Sequence, residues 1–347
     1  FSSVFTVEPP GETQTLEDID LDETLENVPI TVALVNKKLN ALKSNKSPGP
    51  DGIHPRILRE LSDVLTKPLT LLFIASAEQE TIPDEWRTAT VSAIFKKGSK
   101  KLPNNYRPVS LTCICCKLIE SIFRDKIIEH MKSNNLFSKS QFGFIGGRST
   151  VLQLLTVLDK WTDILDQGGI LDVIYLDFMK AFDKVPHKRL LEKINHYGIG
   201  KHVGNWIKDF LSGRQHRVCV NGQFSNWAPV TSGIPQGSVL GPLLFVIYIN
   251  DLPDDILSDI YLFADDTKIF NRIDDQDDST KLQGDLTKLQ VWSDKWLLKF
   301  HPGKCKVVDI GIRDRVQYSY FLEDVELQHS QVEKDLGVLI DNRLKFD

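Results

Sequence analysis

Apolar residues recur every three or four positions in several segments of the chain, a spacing that places their side chains on one face of an α-helix. This pattern predicts helices over residues 30–42, 55–80, 151–165, 190–197 and 203–211. The longest of them would form its apolar face from Ile57, Leu58, Leu61, Leu65, Leu69, Leu72 and Phe73. The helix that begins at residue 151 is expected to stop before Gly168-Gly169.

Shorter apolar runs between these helices predict strands. Residues 90–95 form one such run, and residues 171–176 form another that is apolar enough to be buried in a sheet. Asn221-Gly222, between residues 215–220 and 227–231, predicts a β-hairpin. A further strand pair is expected around residues 264–267. Helices mixed with short strands, without βαβ regularity, predict an α+β protein.

Two segments favour irregular structure. Residues 46–52 contain two prolines and two glycines, which forbids a regular element there. Residues 1–30 show little apolar periodicity and are predicted to be an acidic linker or tail. The chain of 347 residues is long enough for two or three lobes with a sizeable core.

The composition is typical of a soluble globular protein, with 41% hydrophobic residues and mixed charges. No apolar run approaches the roughly 20 residues that a membrane helix needs, and the acidic start does not resemble a signal peptide. Five cysteines, three of them at Cys113, Cys115 and Cys116, fit neither a disulfide framework nor the spacing of a zinc site. We therefore expect buried, reduced thiols in an intracellular protein.

The charges are strongly segregated along the chain. The net charge of −5 argues against a nucleic-acid-binding protein, but residues 1–27 carry eight acidic and no basic side chains. Residues 87–148 carry twelve lysines and arginines against three acidic residues. Such a basic block suits a phosphate-facing surface, although a merely solvated face explains it equally well when it is considered alone.

Three aspartates are the first candidates for chemistry. Asp177 ends the predicted buried strand, where a carboxylate is fixed in position yet able to face a cleft. Taken alone, Asp177 is more simply interpreted as the N-cap of a following helix. Asp265 and Asp266 are adjacent at the predicted strand-pair turn, where like charges repel each other and favour a nearby cation.

Mg²⁺ suits these carboxylates because it takes hard oxygen ligands, few of them from protein, and shares the rest with phosphates. Asp177 and Asp265 lie 88 residues apart, so the three acids would come from two separate strands. Together they could hold two ions for an in-line displacement. Nucleases use similar clusters, so this pattern alone leaves the reaction open.

Several ordered motifs resemble those of the reverse transcriptases of non-LTR retrotransposons, and most closely the jockey-like elements. The motifs that would carry catalysis are residues 176–187 (LDFMKAFDKVPH), 232–243 (SGIPQGSVLGPL) and 263–266 (FADD). Upstream, residues 105–111 (NYRPVSL) and 141–144 (QFGF) resemble finger motifs, and residues 48–52 (PGPDG) match the segment before them. The resemblance covers about residues 45 to 345.

The resemblance implies a right-hand polymerase fold with fingers and palm and a truncated thumb. Residues 31–150 would form the fingers with the helical segment that precedes them. Residues 151–310 would form the palm with the catalytic aspartates. Residues 311–347 would contain the end of the palm, a primer-grip-like region at Leu336-Gly337 and the start of the thumb.

The resemblance also implies the catalytic centre of an RNA-directed DNA polymerase. Asp177, Asp265 and, less strictly, Asp266 would bind two Mg²⁺ ions, which Mn²⁺ could replace, together with the backbone carbonyl of Phe178. A primer 3′-hydroxyl would attack the α-phosphate of a dNTP, a reaction that depends on positioning and charge neutralisation. Lys304 would protonate the pyrophosphate, with an ordinary surface lysine as the simpler interpretation.

Other residues would contact the substrates. Lys96 and Arg107 would hold the triphosphate, and Gln236 with Gly237 would lie beneath the incoming nucleotide and the template.

Ile145 occupies a position where related sequences often have a basic residue, and Arg148 would compensate as a nucleic-acid contact. Leu336 and Gly337 would contact the primer.

The implied partners are an RNA template, a DNA primer or nicked target DNA, and dNTPs, with no membrane. We expect an intracellular protein that acts in the nucleus during retrotransposition, after assembly on the element RNA in the cytoplasm. The sequence does not predict an oligomeric state.

Two other functions share parts of this pattern. An RNA-dependent RNA polymerase has the same palm and paired aspartates, but Phe182 would clash with a ribose 2′-hydroxyl and so favours deoxynucleotides. The Phe182 ring could also be plain core packing. A non-catalytic RNA-binding relic is the second alternative, and the intact Asp177, Asp265 and Asp266 argue against it.

Overall fold

The computed structural model describes residues 4–9, 14, 16, 19, 21, 23–311 and 317–345. In chain order, its α-helices are α1 (Val32–Asn40), α2 (Pro55–Glu60), α3 (Ser62–Glu78), α4 (Ile114–Ser133), α5 (Thr150–Asp166), α6 (Ala181–Lys184), α7 (His187–His196), α8 (Lys201–Leu211), α9 (Gly241–Tyr248) and α10 (Gln276–Trp296). Its strands are β1 (Thr88–Phe95), β2 (Tyr106–Leu111), β3 (Leu171–Leu176), β4 (Gln215–Val220), β5 (Gln223–Phe224), β6 (Ala228–Pro229), β7 (Asp259–Phe263), β8 (Asp266–Arg272), β9 (Lys306–Ile310), β10 (Phe321–Leu322), β11 (Val325–Glu326), β12 (Gln328–His329), β13 (Val332–Asp335) and β14 (Val338–Asp341). The predicted α+β class is confirmed.

The chain divides into two compact units that alternate along the sequence. The first unit consists of Phe1–Leu136 and Phe182–Tyr248. The second unit consists of Phe137–Ala181 and Ile249–Asp347. The chain thus leaves the first unit after Leu136 and returns to it at Phe182, and the assignment of segments to fingers, palm and thumb stays a prediction.

The sheet of the first unit has the order β2-β1-β4-β5, with β6 also paired to β4. β1 pairs antiparallel with β2 and parallel with β4. The predicted hairpin at Asn221-Gly222 forms, and both residues have the positive φ, 51° and 79°, that a two-residue turn favours. Its returning strand is the short β5, because a two-residue turn pairs the residues directly beside it, while β6 pairs with the start of β4.

The sheet of the second unit has the order β12-β9-β3-β8-β7. The central β3 is antiparallel to both β8 and β9. Five of its six residues are buried, which explains its nearly continuous apolar sequence. Helix α5 packs on this sheet, where Trp161 meets Phe270 edge to face with ring centroids 5.6 Å apart. The C-terminal end of β3 is therefore held by a strand on each side and by a buried core.

The predicted helices form, with one interruption. The segment 55–80 contains two helices, α2 and α3, separated at Leu61, whose φ of −97° and ψ of 17° are not helical. No glycine or proline marks this break, and Pro68 lies inside α3 instead. The residues at 114–133 and 241–248 are also helical, and periodicity missed them because both helices are buried on most of their surface.

The described part of the acidic segment 1–30 belongs to the first unit and packs on it near both its ends. The Thr6 N–H donates to the Ser232 Oγ at 2.8 Å, and Leu25 and Ile199 form a parallel bridge. All five cysteines lie within the described residues and form no disulfide bond; Cys113, Cys115, Cys116 and Cys305 are buried, whereas Cys219 is partly exposed. Burial raises the pKa of Cys305 to about 11, so its thiol stays protonated near neutral pH. Within the described ranges, none of the helices combines the length and the apolar character that crossing a membrane requires.

Candidate active site

Asp177 is fixed by backbone contacts on both sides of the strand end. Its carbonyl accepts a hydrogen bond from the His301 N–H at 2.7 Å, and the next residue, Phe178, forms an antiparallel bridge with Phe300. The Phe178 and Phe300 rings are stacked, with centroids 4.2 Å apart. Helix α6 begins only at Ala181, so Asp177 does not occupy the N-cap position that directly precedes a helix.

The adjacent aspartates lie at the tight turn between β7 and β8. Phe263 pairs with Asp266, so the turn itself consists of Ala264 and Asp265. On the other side of β8, Thr267 pairs with Leu176 of β3. This register brings Asp266 and Asp177 to the same end of two neighbouring strands, as the motif spacing predicted.

The pKa of the Asp266 carboxyl is raised above its usual value, to about 6. Loss of hydration is the largest cause, and the negative charges of Asp265 and Asp177 add to it. A cluster of acids that resists ionisation is a physical reason for a cation at this end of the sheet.

The side chain of Lys304 lies beside Asp177. Its Nζ is 3.3 and 3.4 Å from the two carboxylate oxygens of Asp177, and both side chains are about half exposed, at 54% and 47%. The short turn Pro302–Lys304 begins two residues after Phe300, which forms the bridge with Phe178. Lys304 is therefore close along the chain to this bridge. Lys304 is therefore solvent-accessible but contacts a predicted catalytic residue.

The donor set suits Mg²⁺ as an ion shared with substrate. Among the residues that the structure describes, no group of three or more His, Cys, Asp or Glu side chains converges closely enough to enclose a metal ion. Mg²⁺ does not need such a cage, because it binds through one or two carboxylates and completes its shell with water and phosphate oxygens. Carboxylates at one strand end fit that mode of binding, and the backbone carbonyl of Phe178 follows Asp177 directly in the sequence.

The first unit contains the predicted triphosphate contacts on the β1–β2 hairpin. The Lys96 N–H donates to the Asn105 carbonyl at 2.8 Å, and Arg107 pairs with Ile94 across the hairpin. The hairpin and its turn expose several basic side chains, namely Lys96, Lys97, Lys100, Lys101 and Arg107.

Elsewhere in the basic block, several cations are engaged by acids. Arg87 bonds Asp209 at 2.7 Å, and Lys126 bonds Glu129 at 2.7 Å. Within the block, the hairpin is thus the better candidate for a phosphate-facing surface.

The loop within residues 232–243, the second of the motifs that would carry catalysis, is hydrogen-bonded to β2. The Ser110 N–H donates to the carbonyl of Gln236 at 2.6 Å, and the Gln236 Nε2 donates to an Asp183 carboxylate oxygen at 3.0 Å. Gly237 has a φ of 120°, and a Cβ there would lie 2.4 Å from the Ser110 carbonyl oxygen. Only glycine fits this close approach to β2. The predicted position of Gly237 beneath the nucleotide and template stays a prediction.

Glu120 of α4 holds the end of this loop, and the sequence did not predict this role. Its carboxylate is fully buried and accepts the N–H groups of Val239 and Leu240 at 2.7 and 3.0 Å. Burial raises the pKa of Glu120, while the two backbone N–H groups and Arg214 lower it. A lone acid on the apolar side of a predicted helix would have been the signal, but α4 itself was not predicted.

Residues 94–333 match the family described as "Reverse transcriptase (RNA-dependent DNA polymerase)". The chain belongs to this family. It is a reverse transcriptase domain of the non-LTR retrotransposon type, as the motifs predicted, and the family's members are nucleotidyltransferases that generally use divalent metal ions.

The most similar relatives include three proteins of Drosophila melanogaster. The chain is 31% identical over 311 residues to the probable RNA-directed DNA polymerase from transposon X-element, with 87% of the chain and 34% of that protein covered. It is 29% identical over 347 residues to the one from transposon BS, covering 96% and 38%. It is also 29% identical over 329 residues to the RNA-directed DNA polymerase from mobile element jockey, covering 91% and 36%. The chain thus spans little more than a third of the length of these relatives.

In this reverse transcriptase domain, the predicted sugar-contacting residue Phe182 belongs to the first unit. Its half-buried ring stacks on Phe245 with centroids 4.4 Å apart, and its carbonyl accepts the Ile234 N–H at 2.7 Å. The ring is therefore supported from one side by helix α9. Such support is compatible with plain core packing and with a rigid contact to a nucleotide.

Arg148 is engaged within its own loop. Its guanidinium donates to the carbonyls of Ser138 and Gln141 and lies over the Phe142 ring, 5.8 Å from the centroid. Burial lowers its pKa. Ile145 is 7% exposed and therefore belongs to the core of this reverse transcriptase domain.

Leu336 and Gly337 form the turn of the β13–β14 hairpin, and both have positive φ, 47° and 99°. The residue before them, Asp335, forms a buried ion pair with Lys268 of β8. The predicted primer grip of the reverse transcriptase domain is thereby connected to the strand that begins with Asp266.

Proposed function

We propose that this domain extends a primer 3′-hydroxyl with dNTPs on an RNA template by two-metal phosphoryl transfer, as part of retrotransposition. The observation that carries the proposal is that Asp177, Asp265 and Asp266 lie at the same end of two paired strands, where loss of hydration and then the neighbouring charges raise the pKa of Asp266. Repelling carboxylates of this kind are suited to divalent cations that phosphates share.

The candidate site residues of the second unit each have a defined part in this reaction. Asp177 and Asp265, and less strictly Asp266, hold the ions together with the carbonyl of Phe178. Bound Mg²⁺ would lower the pKa of the primer hydroxyl and neutralise charge on the phosphates. Lys304, 3.3 Å from Asp177, is near enough to the same centre to donate a proton to the leaving pyrophosphate.

The substrate contacts follow from the same proposal. Lys96 and Arg107, exposed on the β1–β2 hairpin, bind the triphosphate. Gln236 and Gly237 lie beneath the nucleotide and template, and Phe182 contacts the sugar.

The nucleic-acid contacts complete the set. Leu336 and Gly337 contact the primer, and Arg148 contacts nucleic acid either directly or through the loop that it braces. In the cell, the domain would act on target DNA in the nucleus after assembly on element RNA.

Primer extension by the purified chain on an RNA template, with dNTPs and Mg²⁺, tests the function directly. We expect template-dependent products that disappear on chelation of the metal and return when Mg²⁺ or Mn²⁺ is added. Absence of any dNTP incorporation by the folded protein would contradict the proposal.

Binding to an RNA–DNA duplex is expected to depend strongly on salt and to be nearly independent of sequence, because side chains of the basic hairpin reach phosphates and 2′-hydroxyls. The triple variant Lys97→Ala, Lys100→Ala, Lys101→Ala should reduce the slope of log affinity against log salt by roughly 0.7–0.9 for each phosphate that the variant no longer neutralises. Fluorescence anisotropy titrations at several salt concentrations measure this slope.

Lys126→Ala is the matched control for this measurement, since Lys126 is already paired with Glu129. It should leave the slope unchanged. An affinity of the parent that hardly differs between low and moderate salt would mean that the hairpin is only a solvated surface.

A further inference from the structure

The turn that presents Asp265 and Asp266 contains a residue in an unusual conformation. Ala264, its first residue, has a φ of 54° and is 4% exposed. A positive φ is common for glycine but strained for alanine, and such conformations persist only where the surroundings hold them. The catalytic turn therefore needs a support outside its own two residues.

Gln141 provides one support from far away in the sequence. Its side chain is 1% exposed, and its Oε1 accepts the N–H groups of Ala264 at 2.9 Å and of Gly143 at 2.7 Å. Two backbone donors at one oxygen fix which end of the amide faces the turn. Without this acceptor, the buried Ala264 N–H would have no partner, which is costly in a folded protein.

The backbone around Gln141 provides a second support. The Leu262 N–H donates to the Ser140 carbonyl at 2.9 Å, and the Phe142 N–H donates to the Leu262 carbonyl at 2.7 Å. This short segment thereby lies alongside β7 as an additional parallel pairing. The motif at residues 141–144, which resembled a finger motif, thus contacts the catalytic hairpin in the second unit.

Gly143 completes the support by its lack of a side chain. A Cβ at this position would lie 2.4 Å from the Ala264 nitrogen and 3.0 Å from the Phe263 carbonyl carbon. Any larger residue would therefore displace the backbone of the turn. The Gly143 φ is not positive, so this requirement concerns space and not conformation.

We propose that Gln141 and Gly143 are positioning residues that set the direction of the Asp265 and Asp266 carboxylates by holding Ala264 in its left-handed conformation. The inference rests on the proposed function, because it assigns these carboxylates to metal binding. Neither residue has to touch the metal or the substrate. Their effect is on the affinity for the ion and on kcat, through the geometry of its ligands.

The chain offers a matched control for each position. Gln153 of α5 is also fully buried, and its Nε2 donates to the Leu262 carbonyl at 2.9 Å, on the same strand but away from the turn. Gln153→Met thus removes a buried glutamine of similar surroundings without changing the hydrogen bond to Ala264. Gly284→Ala adds a methyl group to a glycine with open space around it.

The variants Gln141→Met and Gly143→Ala are expected to weaken Mn²⁺ binding to the nucleotide-free protein by about tenfold or more, as removal of a group that orients a metal ligand typically does. Electron paramagnetic resonance titration measures this affinity. The same variants should lower kcat of primer extension more than they raise KM for dNTP. In Gln141→Met, the Ala264 amide should exchange its hydrogen faster than in Gln153→Met.

Mn²⁺ affinity and kcat in Gln141→Met and Gly143→Ala that equal those of Gln153→Met and Gly284→Ala would overturn the proposal. Should Gln141→Met not fold, Gly143→Ala decides by the same measurements. A parent protein without polymerase activity would contradict the proposed function but not the support of the turn. In that case, the exchange rate of the Ala264 amide in Gln141→Met against Gln153→Met decides the inference by itself.

Discussion

Asn substitution at Asp177 or Asp265 is expected to abolish primer extension while leaving the protein folded. Each change removes a negative charge that would bind metal, and we expect kcat to fall by about a thousandfold or more, which corresponds to about 4 kcal/mol of transition-state stabilisation. Steady-state primer extension with Mg²⁺ measures the decrease.

The fold should survive both substitutions for physical reasons. Asp177 is half exposed, and its contact with Lys304 is a surface ion pair of the kind that contributes at most about 1 kcal/mol. Removal of a charge from Asp265 relieves repulsion with Asp266. Thermal unfolding should therefore give transitions close to that of the parent.

Asp259→Asn is the control for these variants. Asp259 lies at the opposite end of β7 from the catalytic turn and pairs with Lys160, so its carboxylate belongs to the same sheet but not to the proposed centre. It should retain parental activity. Primer extension within tenfold of the parent by Asp177→Asn or Asp265→Asn would refute the assignment of the metal ligands.

Phe182→Ala or Phe182→Val is expected to retain much of the dNTP activity and to admit rNTPs. A ring supported by Phe245 cannot yield easily to an added 2′-hydroxyl, since packed side chains resist displacement. Its truncation should lower the preference for dNTP over rNTP by roughly two orders of magnitude or more. The ratio of kcat/KM for the two sugars measures the effect.

This ratio separates a sugar contact from ordinary packing. Truncation of the ring also removes the stack with Phe245, so a general decrease in rate is expected for both nucleotide types. Phe210→Leu, which alters another buried aromatic residue of the first unit, should affect stability and leave the ratio unchanged. An unchanged ratio in Phe182→Ala would mean that this ring only fills the core.

The sequence by itself determined the family, the α+β class and the main elements of the catalytic hairpin. It did so because these features are local: β3 is apolar at every position except Asp172, and the motif at residues 263–266 sits between two short apolar runs. The order and spacing of the motifs also predicted that Asp177, Asp265 and Asp266 would come from neighbouring strands, and the strand register places them at the same end of β3 and β8. Their role in catalysis stays a prediction.

Only the tertiary structure decided which distant residues support these elements. Nothing around Gln141 indicates that its amide accepts the N–H of Ala264, 123 residues later, and nothing around Glu120 indicates its bonds to Val239 and Leu240. A buried polar side chain is satisfied by whichever backbone group the fold brings to it, and periodicity carries no information on that partner.

The same limit applies to the buried helix α9 and to the assignment of basic residues. Helix α9 is apolar on all sides, so it lacks the periodic pattern by which the amphipathic helices were predicted. The composition of the basic block could not separate the exposed Lys97, Lys100 and Lys101 from Arg87 and Lys126, which pair with acids. The net charge of a segment follows from its composition. The exposure and the ion pairing of each charged side chain depend on which segments the fold places side by side.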